Sequence, residues 1–112
     1  MRIDTKQHGD VTVVSAHGRI TIGQGDVALR EAIESAVAAD RKKILLDLDG
    51  VKRIDSSGIA EVVAAKMTVE NADGVIKLAN IPMKIQSVLG LTHVVNLFDV
   101  YESQEEALAS FE

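Results

Sequence analysis

Apolar residues in this chain recur with two different periods, and the changes of period mark out its elements. Arg2, Asp4 and Lys6 alternate with Ile3 and Thr5, the pattern of a half-buried strand, and the turn signal His8-Gly9-Asp10 leads into Val11-Thr12-Val13-Val14. These two stretches predict an opening antiparallel hairpin. Gly23-Gln24-Gly25 reads as a turn, and Asp26 as the N-cap of a helix whose Leu29, Ala32, Ile33, Ala36 and Val37 form one stripe, ending near Asp40. Lys43 to Leu48 is a short, almost continuous apolar run of the kind covered on both faces of a sheet, with Asp49 and Gly50 forming a turn after it. Ile59, Val62, Val63 and Met67 then return to helical spacing, and Asn71-Ala72-Asp73-Gly74 breaks that helix before a strand from Val75 to Ala79. Pro82 suits the first turn of a short helix carrying Ile85, Val88 and Leu89 and closed by Gly90; a last strand is predicted around Val94 to Phe98. Ser103 and Glu106 have capping-box spacing, so a final helix from Gln104 to Phe111 should dock through Ala107, Leu108 and Phe111. Alternating strands and helices after a hairpin imply an α/β fold, a mixed and mainly parallel sheet with about four helices over it.

Between the strand pattern and the helix pattern lies Asp55-Ser56-Ser57-Gly58. The first N–H groups of a helix have no partner within it and the helix dipole is positive there, so an anion is well accommodated at that end. A phosphoryl group on a serine brings about two negative charges and three acceptor oxygens that such amides can receive without unfolding the helix. Taken alone, Asp55, Ser56 and Ser57 need be no more than caps.

Composition narrows the class. The chain has 112 residues, 46% of them apolar and only three aromatic, Phe98, Tyr101 and Phe111, which suits a single domain over residues 1–112 with an aliphatic core. There is no cysteine, which excludes disulfides and thiolate metal sites and suits a reducing compartment. No stretch approaches the ~20 apolar residues of a membrane span, and Met1 to Lys6 lacks an apolar signal region, so a cytoplasmic protein without a membrane partner is expected. A formal charge of −5 disfavours direct binding to nucleic acid, which needs clustered Lys and Arg.

The other polar features have plain readings. His8, His17 and His93 lack metal-ligand spacing, so no metal is expected. Asp47, Asp49 and Asp55 would be candidates for an acid–base pair or cation site, but Asp47 falls in the buried strand and Asp49 in the turn after it. No nucleophile–base pair is legible, no cofactor is implied, and Gly23-Gln24-Gly25 lacks the later Gly and Lys of a phosphate loop. Lys52 and Arg53 place two cations near Ser57; pairing with a phosphate is one use for them, solvation the reading preferred.

Val11-Thr12-Val13-Val14, Ala16-His17-Gly18-Arg19-Ile20, the helix around Leu29 to Val37, Ile44-Leu45-Leu46-Asp47-Leu48 and Val51-Lys52-Arg53-Ile54-Asp55-Ser56-Ser57-Gly58-Ile59 together resemble, in order, the STAS domain family, and within it the small stand-alone anti-sigma-factor antagonists of bacteria. The resemblance covers nearly the whole chain. It implies that Ser57 is the phosphoacceptor, supported by Asp55, Ser56 and Gly58, which would also meet the partner. It also implies that the unphosphorylated protein binds a serine kinase that doubles as an anti-sigma factor, freeing a sigma factor for transcription, and that a serine phosphatase resets it. The protein would then be a substrate and competitor, not an enzyme, and a monomer or weak homodimer. The segment Arg19-Ile20-Thr21-Ile22-Gly23-Gln24-Gly25-Asp26, which neighbours the serine face in the family, lacks the Asp-then-small-polar pattern of sporulation antagonists. Two other roles found among STAS domains stand beside this one: a scaffold subunit of a stress-signalling assembly, and a small-ligand-binding module.

Overall fold

The structure, a computed structural model, describes residues 1–91 and 93–112. Five strands form one sheet in the order β1-β2-β3-β4-β5. They are β1 (Arg2–His8), β2 (Val11–Ile20), β3 (Lys43–Ile54), β4 (Val75–Ala79) and β5 (Val100–Tyr101). The β1–β2 pair is antiparallel and the other three pairs are parallel, as the hairpin followed by strand–helix alternation predicts. The described helices are α1 (Gly25–Ala38), α2 (Ser56–Asn71), α3 (Met83–Leu91) and α4 (Gln104–Ser110).

Alternation along the strands divides the core between the two faces of the sheet. Val14, Ala16, Ile44, Leu46 and Leu48 pack with Leu29 and Ile33 of α1, Val62 and Val69 of α2, and Ile85 and Leu89 of α3. Val11, Val13, Leu45 and Ala79 point the other way and are covered by Ala107, Leu108 and Phe111 of α4. No described helix is long and apolar enough to cross a membrane.

Several boundaries differ from the sequence reading. β3 does not turn at Asp49-Gly50. It continues to Ile54, absorbing register shifts against β2 between Ser15 and His17 and between Gly18 and Arg19. In α1 the N-cap position belongs to Gln24, and Asp26 lies inside the first turn, where its carboxylate accepts from the N–H groups of Gly23 and Val27 at 3.0 and 2.8 Å. Gly25, read as part of a turn, is the buried first residue of that helix. Met67 is 61% exposed, because the inner face of α2 is set by Gly58, Val62, Ala65 and Val69 and Met67 lies well round from it. Gly90 does not close α3, which includes Leu91. Val94–Leu97 forms a 3-10 helix in place of the expected strand, with Val94 buried at its start and Phe98 buried in extended backbone just past its end, and pairing with β4 falls instead to the short β5.

Candidate functional site

Asp55-Ser56-Ser57-Gly58 stands where β3 ends and α2 begins. Asp55 is extended (φ −113°, ψ −174°) and is the N-cap. Its Oδ1 accepts from the Gly58 N–H at 2.9 Å, satisfying one of the orphan donors of the helix. Its Oδ2 accepts from the Ile22 N–H, also at 2.9 Å, and so ties the start of α2 to the segment leaving β2. The Asp55 carboxyl is held below the usual carboxylate range, first by the Ile22 amide and then by the Gly58 amide. It is therefore a fixed negative charge beside the serines at neutral pH.

The neighbouring glycines explain how closely this end of the molecule is assembled. A Cβ on Gly58 would lie 1.9 Å from the Ile20 carbonyl oxygen, and one on Gly25 would lie 2.0 Å from the Arg19 carbonyl oxygen. The first turns of α1 and α2 thus both rest on the last residues of β2, main chain against main chain. The sequence reading placed Asp55, Ser56 and Gly58 beside Ser57 and, through the family resemblance, the segment from Arg19 to Asp26 near the serine face; it did not reveal the bond from the Ile22 amide to Asp55 or the close approach of Gly25 to Arg19. The doubled glycine contact left no signal beyond two small residues, each preceding an apolar stripe.

Ser56 is exposed and Ser57 half-buried on the first turn of α2. Among the described residues, the Ser57 hydroxyl takes part in no hydrogen bond, so its nucleophilic oxygen is not committed to the fold. Ile22, linked to Asp55 through its amide, is 75% exposed and gives the site an apolar flank. Arg19 and Arg53 are register partners on β2 and β3, and with Thr21 and Asp55 they line a cleft of about 240 Å³. Both arginines are exposed, as is Lys52.

The three aspartates considered as a possible acid–base group serve separate purposes. Asp47 is 6% exposed on the α4 side of the sheet, where it accepts from Asn80 Nδ2 at 3.0 Å, Gln104 Nε2 at 2.8 Å and the Asp49 N–H at 2.9 Å. Asp49 is exposed on β3, while Asp55 caps α2.

Known proteins share this fold. A protein assigned as an anti-sigma factor antagonist from Thermotoga maritima superposes with a TM-score of 0.87 at 21% identity, over 96% of this chain and 92% of that one. An anti-sigma-factor antagonist (STAS) domain protein from Planctomyces limnophilus is 26% identical with a TM-score of 0.77, covering 96% of each chain. The Bacillus cell fate determinant SpoIIAA in its phosphorylated form gives a TM-score of 0.76 at 17% identity, over 99% of this chain and 100% of that one. The model of the STAS domain family matches residues 2–107, from the first residue of β1 to the buried Ala107 of α4. With that span and a sheet of the same topology, the chain belongs to the STAS domain family.

Proposed function

We propose that this protein is an anti-sigma-factor antagonist switched by phosphorylation of Ser57. The observation that carries the reading is the uncommitted hydroxyl of Ser57, half-buried on a helix start that Asp55 pins in place and that the exposed Ile22 flanks. The solved structures it resembles include anti-sigma factor antagonists, and one of them is in a phosphorylated form. Unmodified, the surface around Ser57 packs against an anti-sigma factor that is also a serine kinase, and the sigma factor is released. Transfer of the ATP γ-phosphoryl group to Ser57 Oγ places about two negative charges where the partner met a neutral hydroxyl, next to the ionised Asp55. Burying that charge without a matching cation costs a few kcal/mol, and each 1.4 kcal/mol is about tenfold in affinity, so the complex dissociates. A serine phosphatase restores the binding form. Ser56 and Gly58 support the serine by shaping the turn, and Asp55 fixes its position.

The test compares Ser57→Ala and Ser57→Asp as baits in lysate of the native organism, with retained proteins identified by mass spectrometry and their affinity for each purified variant then measured. Ser57→Ala should fold, resist phosphorylation and retain an ATP-binding serine kinase, while Ser57→Asp should bind it at least tenfold more weakly. Equal affinity of the two variants would remove Ser57 as the switch.

A further inference from the structure

Strand β1 lies at one edge of the sheet, hydrogen-bonded to β2 on one side only. Its side chains alternate. Ile3 packs toward the main core beneath α1, while Arg2, Asp4, Lys6 and His8 are exposed. The alternation also decides which main-chain groups are free. The hairpin turns through the two residues Gly9 and Asp10 and closes on the pair His8–Val11, a pair that exchanges main-chain hydrogen bonds in such turns. Pairs of that kind recur at every second residue, so Lys6, Asp4 and Arg2 are also bonded to β2, whereas Ile3, Thr5 and Gln7 direct their N–H and C=O groups outward.

A free edge with charges of one sign repels another copy of itself, which is one way edge strands are kept from associating. The charges on β1 instead alternate in sign, from Arg2 through Asp4 to Lys6. Their order and the length of strand engaged together select a register, since a pairing centred on Ile3 also opposes Asp4 to Arg2 but leaves Lys6 to His8 unpaired. Around a two-fold axis, an antiparallel pairing that sets Asp4 opposite Asp4, or Lys6 opposite Lys6, opposes like charges and is disfavoured. The pairing centred on Thr5 sets Asp4 of each copy opposite Lys6 of the other and uses the strand from Arg2 to His8. In that same register Ile3 faces Gln7 and Thr5 faces Thr5, so the residues with free main-chain groups exchange about six hydrogen bonds. Asp4 and Lys6 then fall on the non-hydrogen-bonded pairs, where opposed side chains stand closest.

The other side of the strand fits this occupant. A groove of about 680 Å³ runs between α1 and β1, floored by Ile3, Thr5 and Gln7 and walled by Ala28, Ala32 and Ala36, so α1 leaves part of β1 uncovered. A two-fold axis perpendicular to the sheet keeps both α1 helices on one face and joins the two grooves over a continuous floor.

From the outward main-chain groups of Ile3, Thr5 and Gln7 together with the self-complementary Asp4 and Lys6, we infer that the open edge of β1 is an interface for a second copy of this chain, paired antiparallel about Thr5. The inference goes beyond the antagonist reading and requires no role for Ser57. Sedimentation equilibrium from micromolar to millimolar protein tests it on the wild type, Asp4→Lys, Lys6→Asp and the double variant carrying both changes. Asp4 and Lys6 are exposed, and the contacts Asp4 makes with Arg2 and His17 in its own chain, at 3.2 and 3.3 Å, lie at the surface and add little stability, so the variants should keep the wild-type circular dichroism spectrum. A reversible dimer is expected for the wild type, at least tenfold weaker in each single reversal and restored in the double variant, where the opposite charges face each other again. Amide exchange at Ile3, Thr5 and Gln7 should slow as concentration rises. A monomer mass throughout that range, single reversals that dimerise like wild type, or a double variant that fails to recover would each overturn the interface.

Discussion

At Gly58 the first turn of α2 approaches Ile20 so closely that only a hydrogen fits between the Cα and the carbonyl oxygen. The residue is required for space rather than for an unusual backbone angle, since nothing at this position demands a left-handed conformation. Gly58→Ala must push α2 away from the end of β2 and strain the bonds from the Asp55 carboxylate to the Ile22 and Gly58 amides. Overpacking of this kind costs about 2–3 kcal/mol, read as a lower urea midpoint at unchanged m-value, and Gly25→Ala should behave alike. Gly90 provides the contrast, because it lies in α3 with open space where a Cβ would stand. Gly90→Ala should stabilise by about 0.5–1 kcal/mol through helix propensity alone. If Gly58→Ala melted at the wild-type midpoint, the tight junction beneath Ser57 would be wrong.

Among the elements, α4 covers the smaller apolar face and is fastened at both ends. Its N-terminal Gln104 reaches the buried Asp47, and Ser103 Oγ accepts from the Glu106 N–H at 3.0 Å. Near its C-terminus, Lys77 Nζ donates to the Ser110 carbonyl and hydroxyl oxygens, at 3.1 and 2.9 Å, and stands 4.6 Å from the centre of the Phe111 ring. Asp47→Ala leaves the Asn80 and Gln104 amides facing each other without an acceptor and should cost about 2–3 kcal/mol, with faster amide exchange throughout α4. Gln104→Ala, removing only one donor, should cost about 1 kcal/mol. Wild-type exchange in α4 of the Asp47 variant would show that packing alone holds the helix. This fastening also marks how far sequence pattern reached. The cap at Ser103 and the inward side of α4 were legible, because capping and periodicity are local. So were the hairpin, the buried β3 and the start of α2 at the two serines. The tie from Asp47 to Gln104 spans 57 residues and was not legible; Asp47 read only as an aspartate in a buried strand. The same limit hid the course of β3, whose Asp49-Gly50 has the chemistry of a turn but stays in the strand, with Gly50 paired to His17 of β2 and the Asp49 N–H taken up by the Asp47 carboxylate. It also hid the fate of Val94 to Phe98, where Val94 is buried at the start of a 3-10 helix and Phe98 is buried in extended backbone just past its end, while β5 takes the sheet edge.

For the whole molecule, β3 is the axis and a carboxylate is engaged near each of its ends. At its start, Lys43 Nζ donates to Asp10 Oδ2 at 2.6 Å, and this bond holds the Asp10 carboxyl below its usual range. Beyond its end, the Ile22 and Gly58 amides lower that of Asp55. Both folded values lie below those of the unfolded chain, near 3.9, so between the folded and unfolded values the unfolded state binds protons that the folded state does not. Stability therefore rises with pH across that window. The two contributions are complete above about pH 5 and are lost as pH falls through the folded values. In urea titrations from neutral pH into acid, Asp55→Asn and Asp10→Asn should each flatten the decline below about pH 4. The sites lie at opposite ends of a twelve-residue strand and share no partner, so the double variant should flatten the decline by the sum of the two effects. A decline in Asp55→Asn as steep as in the wild type would mean that the cap of α2 is broken before acid reaches it, and that the charge beside Ser57 is less firmly held than its two amide bonds require.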